Sequence, residues 1–261
     1  MKRFSFALRY FKYLLRAKTK HGVHSPFVFN LFTTVISKKE KAPAFHHIEK
    51  LRSILQTDNS ILEVEDFGAG SVVFKTQHRS IKDIARHSAK SAKYGQLLYR
   101  LVNHFKPSTI LELGTSLGIS TLYLSQASMD STVYTIEGSK TISQKAQAHF
   151  KKLRATNIKS ITGKFEEVLA TKLGGLGDID FIFFDGNHRK APTLNYFEQC
   201  LAVSTTSSVF VFDDIHWSDE MEDAWDLIKK HPQVTITIDL FFVGLVFFRK
   251  EQVKEHFVLR F

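Results

Sequence analysis

A glycine turn joins an apolar strand pattern to an apolar helix pattern near the middle of the chain. The apolar run that begins at Ile110 contains the acid Glu112, and Gly114 and Gly118 frame the turn that follows. Helical periodicity starts by Thr121. Glycine permits φ > 0 and close approach, and a strand–turn–helix unit presents backbone N–H groups to a ligand. The third glycine of a dinucleotide G-x-G-x-x-G motif is missing, so the pattern predicts a different ligand turn.

A second acid ends the next predicted strand. Glu137 closes the run 131–136 and follows Gly118 by 19 residues. An acid about 20 residues after such a turn is placed to accept hydrogen bonds from ribose hydroxyls. The alternative is that Glu137 caps the helix predicted from Lys140.

Three more acids follow two strongly apolar strand patterns. Asp185 ends the run 178–184, and Asp213 and Asp214 end the run 208–212. Carboxyl ends of parallel strands share one edge of a sheet, where three carboxylates repel one another unless a cation or protons intervene. Oxygen ligands favour a hard divalent ion such as Mg²⁺. His188 is a competent general base near neutral pH, although it could instead cap the helix that follows.

The acid-x-Gly-x-x-x-Gly form of residues 112–118 resembles motif I of class I S-adenosylmethionine (SAM)-dependent methyltransferases. It is most similar to the small-molecule O-methyltransferases of the catechol and caffeoyl-CoA type. The pair Gly95-Gln96 matches the Gly-Gln that opens the helix before motif I in that group. The resemblance covers roughly residues 88–250. It implies an α/β, Rossmann-like SAM methyltransferase sheet, mostly parallel, with seven strands of which the last is antiparallel.

The resemblance also implies roles for individual residues. Those expected to bind SAM are Glu112, Gly114, Thr115, Gly118, Ser120, Glu137, Gly163, Phe165 and Gly95. In the family, an Asp after strand four and an Asp-Asn pair after strand five hold Mg²⁺ or Ca²⁺. Asp185 and Asp213 match that set, and Asp214 stands in place of the Asn. His188 stands where the family has a lysine base, so Asp185 and His188 are the expected catalytic pair.

Composition limits where the protein acts. Residues 1–50 carry eleven Lys/Arg against two Glu, while the rest of the chain carries 25 Lys/Arg against 24 Asp/Glu. Cys200 is the single cysteine, so an internal disulfide and a cysteine-based metal site are excluded. The N-terminus lacks the apolar core of a signal peptide, and no apolar run approaches a membrane span. We expect a cytoplasmic protein.

The N-terminal region is predicted to be a basic helical extension, residues 1–87, before a methyltransferase domain at 88–261. Its first helix, 3–18, has an apolar stripe of Phe4, Leu8, Phe11 and Leu15. We expect this stripe to pack on the main domain or in a homodimer, in preference to nucleic acid or an anionic membrane surface. Residues 61–80 are interpreted as a hairpin or flap.

The leading functional hypothesis is a SAM-dependent methyltransferase. It would methylate a hydroxyl of a small acceptor, with help from Mg²⁺ or another hard divalent cation. One alternative is an RNA or protein methyltransferase that uses its basic N-terminal region. Another is a non-catalytic SAM-fold binding or scaffold protein.

Overall fold

The computed structural model describes residues 2–65, 78–87 and 91–261. Its helices are α1 (Lys2–Arg16), α2 (Pro26–Leu31), α3 (Pro43–Leu55), α4 (Ile81–His87), α5 (Ala92–Phe105), α6 (Ile119–Ala127), α7 (Lys140–Lys152), α8 (Phe165–Leu176), α9 (Lys190–Leu201) and α10 (Asp219–Lys230). A 3₁₀ turn (Lys20–Gly22) and a π-helical turn (Phe32–Ile36) complete the helical elements of these residues.

The strands of the described residues are β1 (Ile61–Glu63), β2 (His78–Ser80), β3 (Thr109–Leu113), β4 (Thr132–Glu137), β5 (Ile158–Thr162), β6 (Phe181–Phe184), β7 (Val209–Asp213), β8 (Ile236–Asp239), β9 (Val243–Phe247) and β10 (Glu255–Val258). The chain divides into two compact units. One consists of Met1–Lys38 with Gly177–Phe261, and the other is Lys39–Leu176. The predicted boundary at residues 87/88 stays a prediction, because compact units and evolutionary domains need not coincide.

The unit 39–176 is built on three parallel strands. β4 pairs in parallel with β3 on one side and with β5 on the other. Connecting helices cover the strands, and the core joins Ile48 and Leu51 of α3 to Leu122 of α6 and Phe150 of α7. β1 and β2 form a separate antiparallel pair at the two ends of the predicted flap. Residues 66–77 between them lie outside the described residues.

The other unit contains the late antiparallel strand that the fold class requires. β6 and β7 are parallel, and β9 is antiparallel to both β7 and β8. Every residue of β6 and β7 is buried, as the continuous apolar runs predict for strands covered on both faces. Phe184 and Phe212 stack on these neighbouring strands with ring centroids 4.2 Å apart. The predicted α/β class, with a mostly parallel sheet and antiparallel β9, is confirmed.

β10 extends the sheet beyond the seven expected strands. It pairs in parallel with β8, and its residues are exposed or half-buried. The chain after α1 joins this edge, because the N–H of Lys18 donates to the carbonyl of Val258 at 2.8 Å and the N–H of Arg260 donates to the carbonyl of Lys18 at 3.0 Å. The N-terminal helix is therefore tied into its unit by backbone pairing.

The face by which α1 packs differs from the predicted one. Phe6, Tyr10 and Tyr13 contact the ring of Phe241, with centroid distances of 5.3, 4.8 and 5.3 Å. In the predicted stripe Leu8, Phe11 and Leu15 are exposed, and the side chain of Phe4 lies outside the described part. α1 therefore packs on its own unit by a face other than the predicted stripe, and packing of that stripe in a homodimer stays a prediction. Both faces carry apolar residues at helical spacing, so local periodicity does not distinguish them.

Two phenylalanines on opposite faces of α1 provide a matched test of this packing. Replacing Phe6 with Ala removes edge contacts to Phe241 and Trp217, so we expect the free energy of unfolding to fall by about 1–3 kcal/mol. Phe11→Ala, on the exposed face, should change it by less than about 0.5 kcal/mol. Urea unfolding of both variants measures the difference. Equal losses would contradict the assigned face.

Candidate active site

The turn after β3 has the backbone conformation that its glycines allow. Gly114 and Gly118 have φ of 109° and 83°, and Ser116 between them also has a positive φ of 47°. A Cβ on Gly118 would lie 2.4 Å from the ring of Phe150. Gly118 is therefore required both by its positive φ and by the close approach of α7.

Backbone N–H groups of this turn bind the end of β4. The N–H groups of Gly114 and Thr115 donate to the carbonyl of Ile136 at 3.0 and 3.2 Å. The N–H of Ser116 donates to Glu137 Oε2 at 2.9 Å. These three donors are used inside the protein, so they hold the turn in place rather than form the row of ligand donors that the sequence suggested.

Glu137 joins two turns through its carboxylate. In addition to the Ser116 contact, its Oε1 accepts the backbone N–H of Ser139 at 3.0 Å. Ser139 is the N-cap of α7, since its hydroxyl accepts the N–H of Ile142. Glu137 thus supports the helix start without being its cap, and it is half-buried at the carboxyl end of β4. This position is the one expected of a ribose-binding acid.

Glu112 is a fully buried acid within β3. Its Oε2 accepts hydrogen bonds from the hydroxyls of Thr121 and Thr135, and the Thr135 hydroxyl is also hydrogen-bonded to that of Thr115. Burial raises the pKa of Glu112 to about 7, although hydrogen bonds from Ser120, Thr121 and Thr135 act to lower it. Thr115 and Ser120, both expected at the cofactor, are buried in this carboxylate–hydroxyl network.

The remaining predicted SAM residues lie in the same unit. Gly95 is buried in α5, where an added Cβ would lie 2.4 Å from the Tyr123 ring. Close packing of α5 on α6 accounts for this glycine without a cofactor. The N–H of Gly163 donates to the carbonyl of Glu137 at 2.9 Å, and half-buried Phe165 opens α8 two residues later.

The acids after β6 and β7 meet an imidazole in the other unit. Asp213 is the last residue of β7, and Asp185 follows β6 directly. One donor atom each of Asp185, His188 and Asp213 lies within 4.8 Å of the others. His188 Nε2 is 3.8 Å from Asp185 Oδ1. His188 and Asp213 also line a small crevice with Thr193 and Tyr196.

The loop that carries His188 is fixed by Asn187. This residue has a φ of 53°, a conformation that Asn tolerates better than most side chains. Its amide donates to the Tyr196 hydroxyl at 3.2 Å, and its carbonyl oxygen accepts Arg189 Nε at 2.8 Å. The sequence analysis did not single out Asn187, because its partners are recognisable only in the folded loop.

Asp214 does not belong to the group formed by Asp185, His188 and Asp213. Its backbone has a φ of 51°, and its N–H donates to the carbonyl of Phe242 at 2.6 Å. Its carbonyl accepts the N–H of Trp217 at 2.9 Å. The converging group therefore differs from the predicted ligand set by having His188 in place of Asp214, and the metal-binding roles stay a prediction. Among the described residues this is the set whose donors converge.

His216 is part of a charge network that the sequence did not reveal. Its Nδ1 lies 2.7 Å from Glu222 Oε1 and its Nε2 lies 2.8 Å from Asp239 Oδ2. Burial acts to lower the pKa of His216, but the bonds to Asp239 and Glu222 outweigh it and the pKa is raised. Arg9 of α1 continues the network through Glu222 and Asp219. Asp239 is far from His216 in sequence, so spacing gave no signal.

Comparison with known proteins agrees with this fold and its motifs. Residues 111–215 match the family model described as a methyltransferase domain. The matched stretch contains the glycine turn and the strand ends that carry Glu137, Asp185 and Asp213. No curated protein sequence matches the chain.

Solved structures resemble a much larger part of the chain. An O-methyltransferase from Bacillus cereus in complex with SAH has 18% identity and a TM-score of 0.57, with 83% of this chain and 94% of that chain covered. The O-methyltransferase TomG from Streptomyces achromogenes has 19% identity and a TM-score of 0.57, with 85% and 96% covered. A putative caffeoyl-CoA O-methyltransferase from Staphylococcus aureus has 18% identity and a TM-score of 0.54, with 63% and 88% covered.

Together, the domain match and the shared fold confirm the predicted class. The chain has the α/β fold of these solved structures, which are named as O-methyltransferases of the group that the sequence resembles. Within the described residues, no helix is both long and apolar enough to cross a membrane.

Glu112 makes stability depend on pH in a predictable direction. Its folded pKa of about 7 lies above the ordinary value of 4.5, so the folded state binds the proton more tightly. Its contribution is fully present below pH 4.5 and is lost as pH rises toward 7. Glu112→Gln keeps an acceptor for both threonines but cannot ionise. We expect the free energy of unfolding of this variant, relative to that of wild type, to rise by on the order of 3 kcal/mol between pH 4 and pH 8.

Denaturant unfolding at a series of pH values, without cofactor, measures this difference. Glu166→Gln is the matched control, because Glu166 is an exposed acid in the first turn of α8. Parallel pH profiles for wild type and Glu112→Gln would show that folding does not raise the pKa of Glu112.

Proposed function

We propose that this protein transfers the methyl group of SAM to a hydroxyl of a small acceptor, assisted by a divalent cation. The methyltransferase domain and its class I fold supply the cofactor chemistry. O-methylation is favoured because structures of the same fold are named as O-methyltransferases. The cytoplasm stays the expected compartment, consistent with a single buried cysteine, Cys200.

The convergence of Asp185, His188 and Asp213 is the observation that carries the proposal. Two carboxylates and an imidazole with donor atoms within 4.8 Å can share one divalent ion. Asp213 is almost fully buried, and a buried carboxylate favours a cationic partner. The donor set therefore fits the cation that the resemblance implies, with a different third ligand.

Each residue of this set would have a defined task. A divalent cation lowers the pKa of a bound hydroxyl and orients its oxygen. Asp185 and Asp213 would hold the cation from neighbouring strand ends, and His188 would complete the protein ligands. Methyl transfer from a sulfonium is a direct displacement, so the main requirement is an aligned, deprotonated acceptor.

Two chemically distinct roles fit His188, a cation ligand and a general base. As a cation ligand, Nε2 or Nδ1 commits its lone pair to the metal. As a general base, the role expected from the sequence, His188 instead takes the acceptor proton directly. We favour the ligand role, because His188 lies with both acids in one cluster.

The cofactor side of the reaction is assigned to the unit 39–176. Glu137 is proposed to accept hydrogen bonds from the ribose hydroxyls, since it lies at the carboxyl end of β4 next to the glycine turn. Glu112 would act mainly through the buried hydroxyl network that fixes Thr115 and Ser120. Phe165 would face the adenine, as the resemblance implies.

Neighbouring aspartates distinguish the proposed cation site from general charge effects. Asp213→Asn should reduce cation affinity and methyl transfer at least about 100-fold, because it removes a buried anionic ligand. Asp214→Asn should change both by less than about threefold, since Asp214 is outside the converging set. Calorimetric titration of Mn²⁺ and Mg²⁺ measures affinity, and SAH formation with a panel of hydroxylated acceptors measures transfer.

Separate outcomes test the parts of the proposal. SAM binding should be retained in Asp213→Asn, since the residues proposed to bind SAM lie in the unit 39–176. Full activity of Asp213→Asn in EDTA would reject the cation mechanism while leaving the methyltransferase. Absence of SAM binding by the wild type would reject the function as a whole.

Replacing the imidazole with an oxygen ligand tests the role of His188. An imidazole favours Mn²⁺ or a later transition ion over Mg²⁺, whereas an all-oxygen set suits Mg²⁺. We expect His188→Asp to shift the Mn²⁺/Mg²⁺ affinity ratio toward Mg²⁺ by about tenfold or more. If His188 is only a base, the ratio should stay constant while the acidic limb of the pH–rate profile disappears.

A further inference from the structure

The exposed face of α1 carries a stripe of large apolar side chains. Leu8, Phe11 and Leu15 are 45%, 58% and 73% exposed. They recur at intervals of three and four residues, which places them along one side of a helix. The opposite side of α1 is occupied by contacts of Phe6, Tyr10 and Tyr13 with Phe241. The unit 1–38 with 177–261 therefore holds this helix with its second apolar face outward.

Cationic side chains accompany this stripe. Residues 1–39 contain nine Lys/Arg and no Asp/Glu. Lys12 and Arg16 are exposed on α1 itself, and Lys18 and Lys20 are exposed just after it. Arg9 differs, because it is directed to Asp219 and Glu222 of α10. The charges on the outward side are therefore available to an external anion.

We propose that the exposed face of α1 docks on an anionic lipid bilayer surface. Such a surface takes apolar side chains below the headgroups and pairs lysine and arginine with lipid phosphates, so it matches both parts of this face. A helix of 15 residues is about 22 Å long, which suits a position in the plane of the interface.

Two other occupants account for only part of the face. A second copy of the chain would bury Leu8, Phe11 and Leu15, but a two-fold contact would bring Lys12 and Arg16 close to the same basic residues of the copy. Nucleic acid would neutralise the lysines and arginines, but its phosphates give no reason to expose Leu8 and Leu15. The bilayer explains the apolar stripe and the charge together.

Vesicle sedimentation of the full chain tests this proposal. The probes are vesicles of phosphatidylcholine alone and of phosphatidylcholine mixed with phosphatidylglycerol. We expect binding to the mixed vesicles that weakens as salt increases, and little binding to phosphatidylcholine. Leu8→Ser/Phe11→Ser/Leu15→Ser and, separately, Lys12→Gln/Arg16→Gln should each lower the partition coefficient at least about tenfold.

Matched controls separate this face from exposed apolar surface in general. Ile54→Ser/Leu227→Ser changes two large side chains that are similarly exposed on other helices, and it should bind vesicles like the wild type. Far-UV circular dichroism and thermal unfolding establish that each variant is folded, as expected for exposed positions.

Three results would overturn the proposal. The first is wild-type vesicle binding that the serine triple variant does not reduce. The second is a wild-type dimer in light scattering that the triple variant converts to monomer, which would assign the face to a second copy. The third is binding of a single-stranded oligonucleotide, lost in Lys12→Gln/Arg16→Gln, without binding to anionic vesicles.

Discussion

Placing carboxylates at or near the ends of buried strands is the constraint on which the candidate site depends. An ionised carboxylate in an apolar environment is costly unless hydrogen bonds or opposite charges accompany it. The chain solves this differently for each acid. Glu137 accepts hydrogen bonds from two backbone N–H groups, and Asp239 Oδ2 lies 2.8 Å from an imidazole nitrogen of His216. Glu112 accepts hydrogen bonds from two threonine hydroxyls, but burial outweighs them and its pKa is raised. One carboxylate oxygen each of Asp185 and Asp213 lies within 4.8 Å of a ring nitrogen of His188.

Local patterns were sufficient to predict most elements of the fold. The glycine turn and the buried runs of β6 and β7 are signals within a few residues, since strand burial and positive φ depend on local sequence. β10 was missed because Glu255–Val258 is short and partly exposed, so it lacks an apolar run. The short helix Ile81–His87 was also missed, as it directly follows β2.

Contacts between residues that are distant in the sequence could not be predicted from local patterns. The acids at 185 and 213 were expected together because parallel strand ends share an edge, but the position of His188 relative to them depends on how Asn187 folds its loop. Likewise, the packed face of α1 is decided by Phe241, more than two hundred residues away. When apolar periodicity fits two opposite faces of a helix equally well, only a contact with a distant residue such as Phe241 determines which face packs.

The substitution of histidine for the family's lysine is more than a change of base. A lysine near two carboxylates would pair with them as a cation, whereas an imidazole can supply a nitrogen ligand atom to a metal. Asp214, at the position of the uncharged Asn in the family pattern, lies outside this group, and its N–H donates to the carbonyl of Phe242. The two departures from the family pattern, His188 for the lysine and Asp214 for the asparagine, are therefore compatible with one proposed cation site. In the proposed site His188 would supply the third ligand atom, and Asp214 lies outside the converging group.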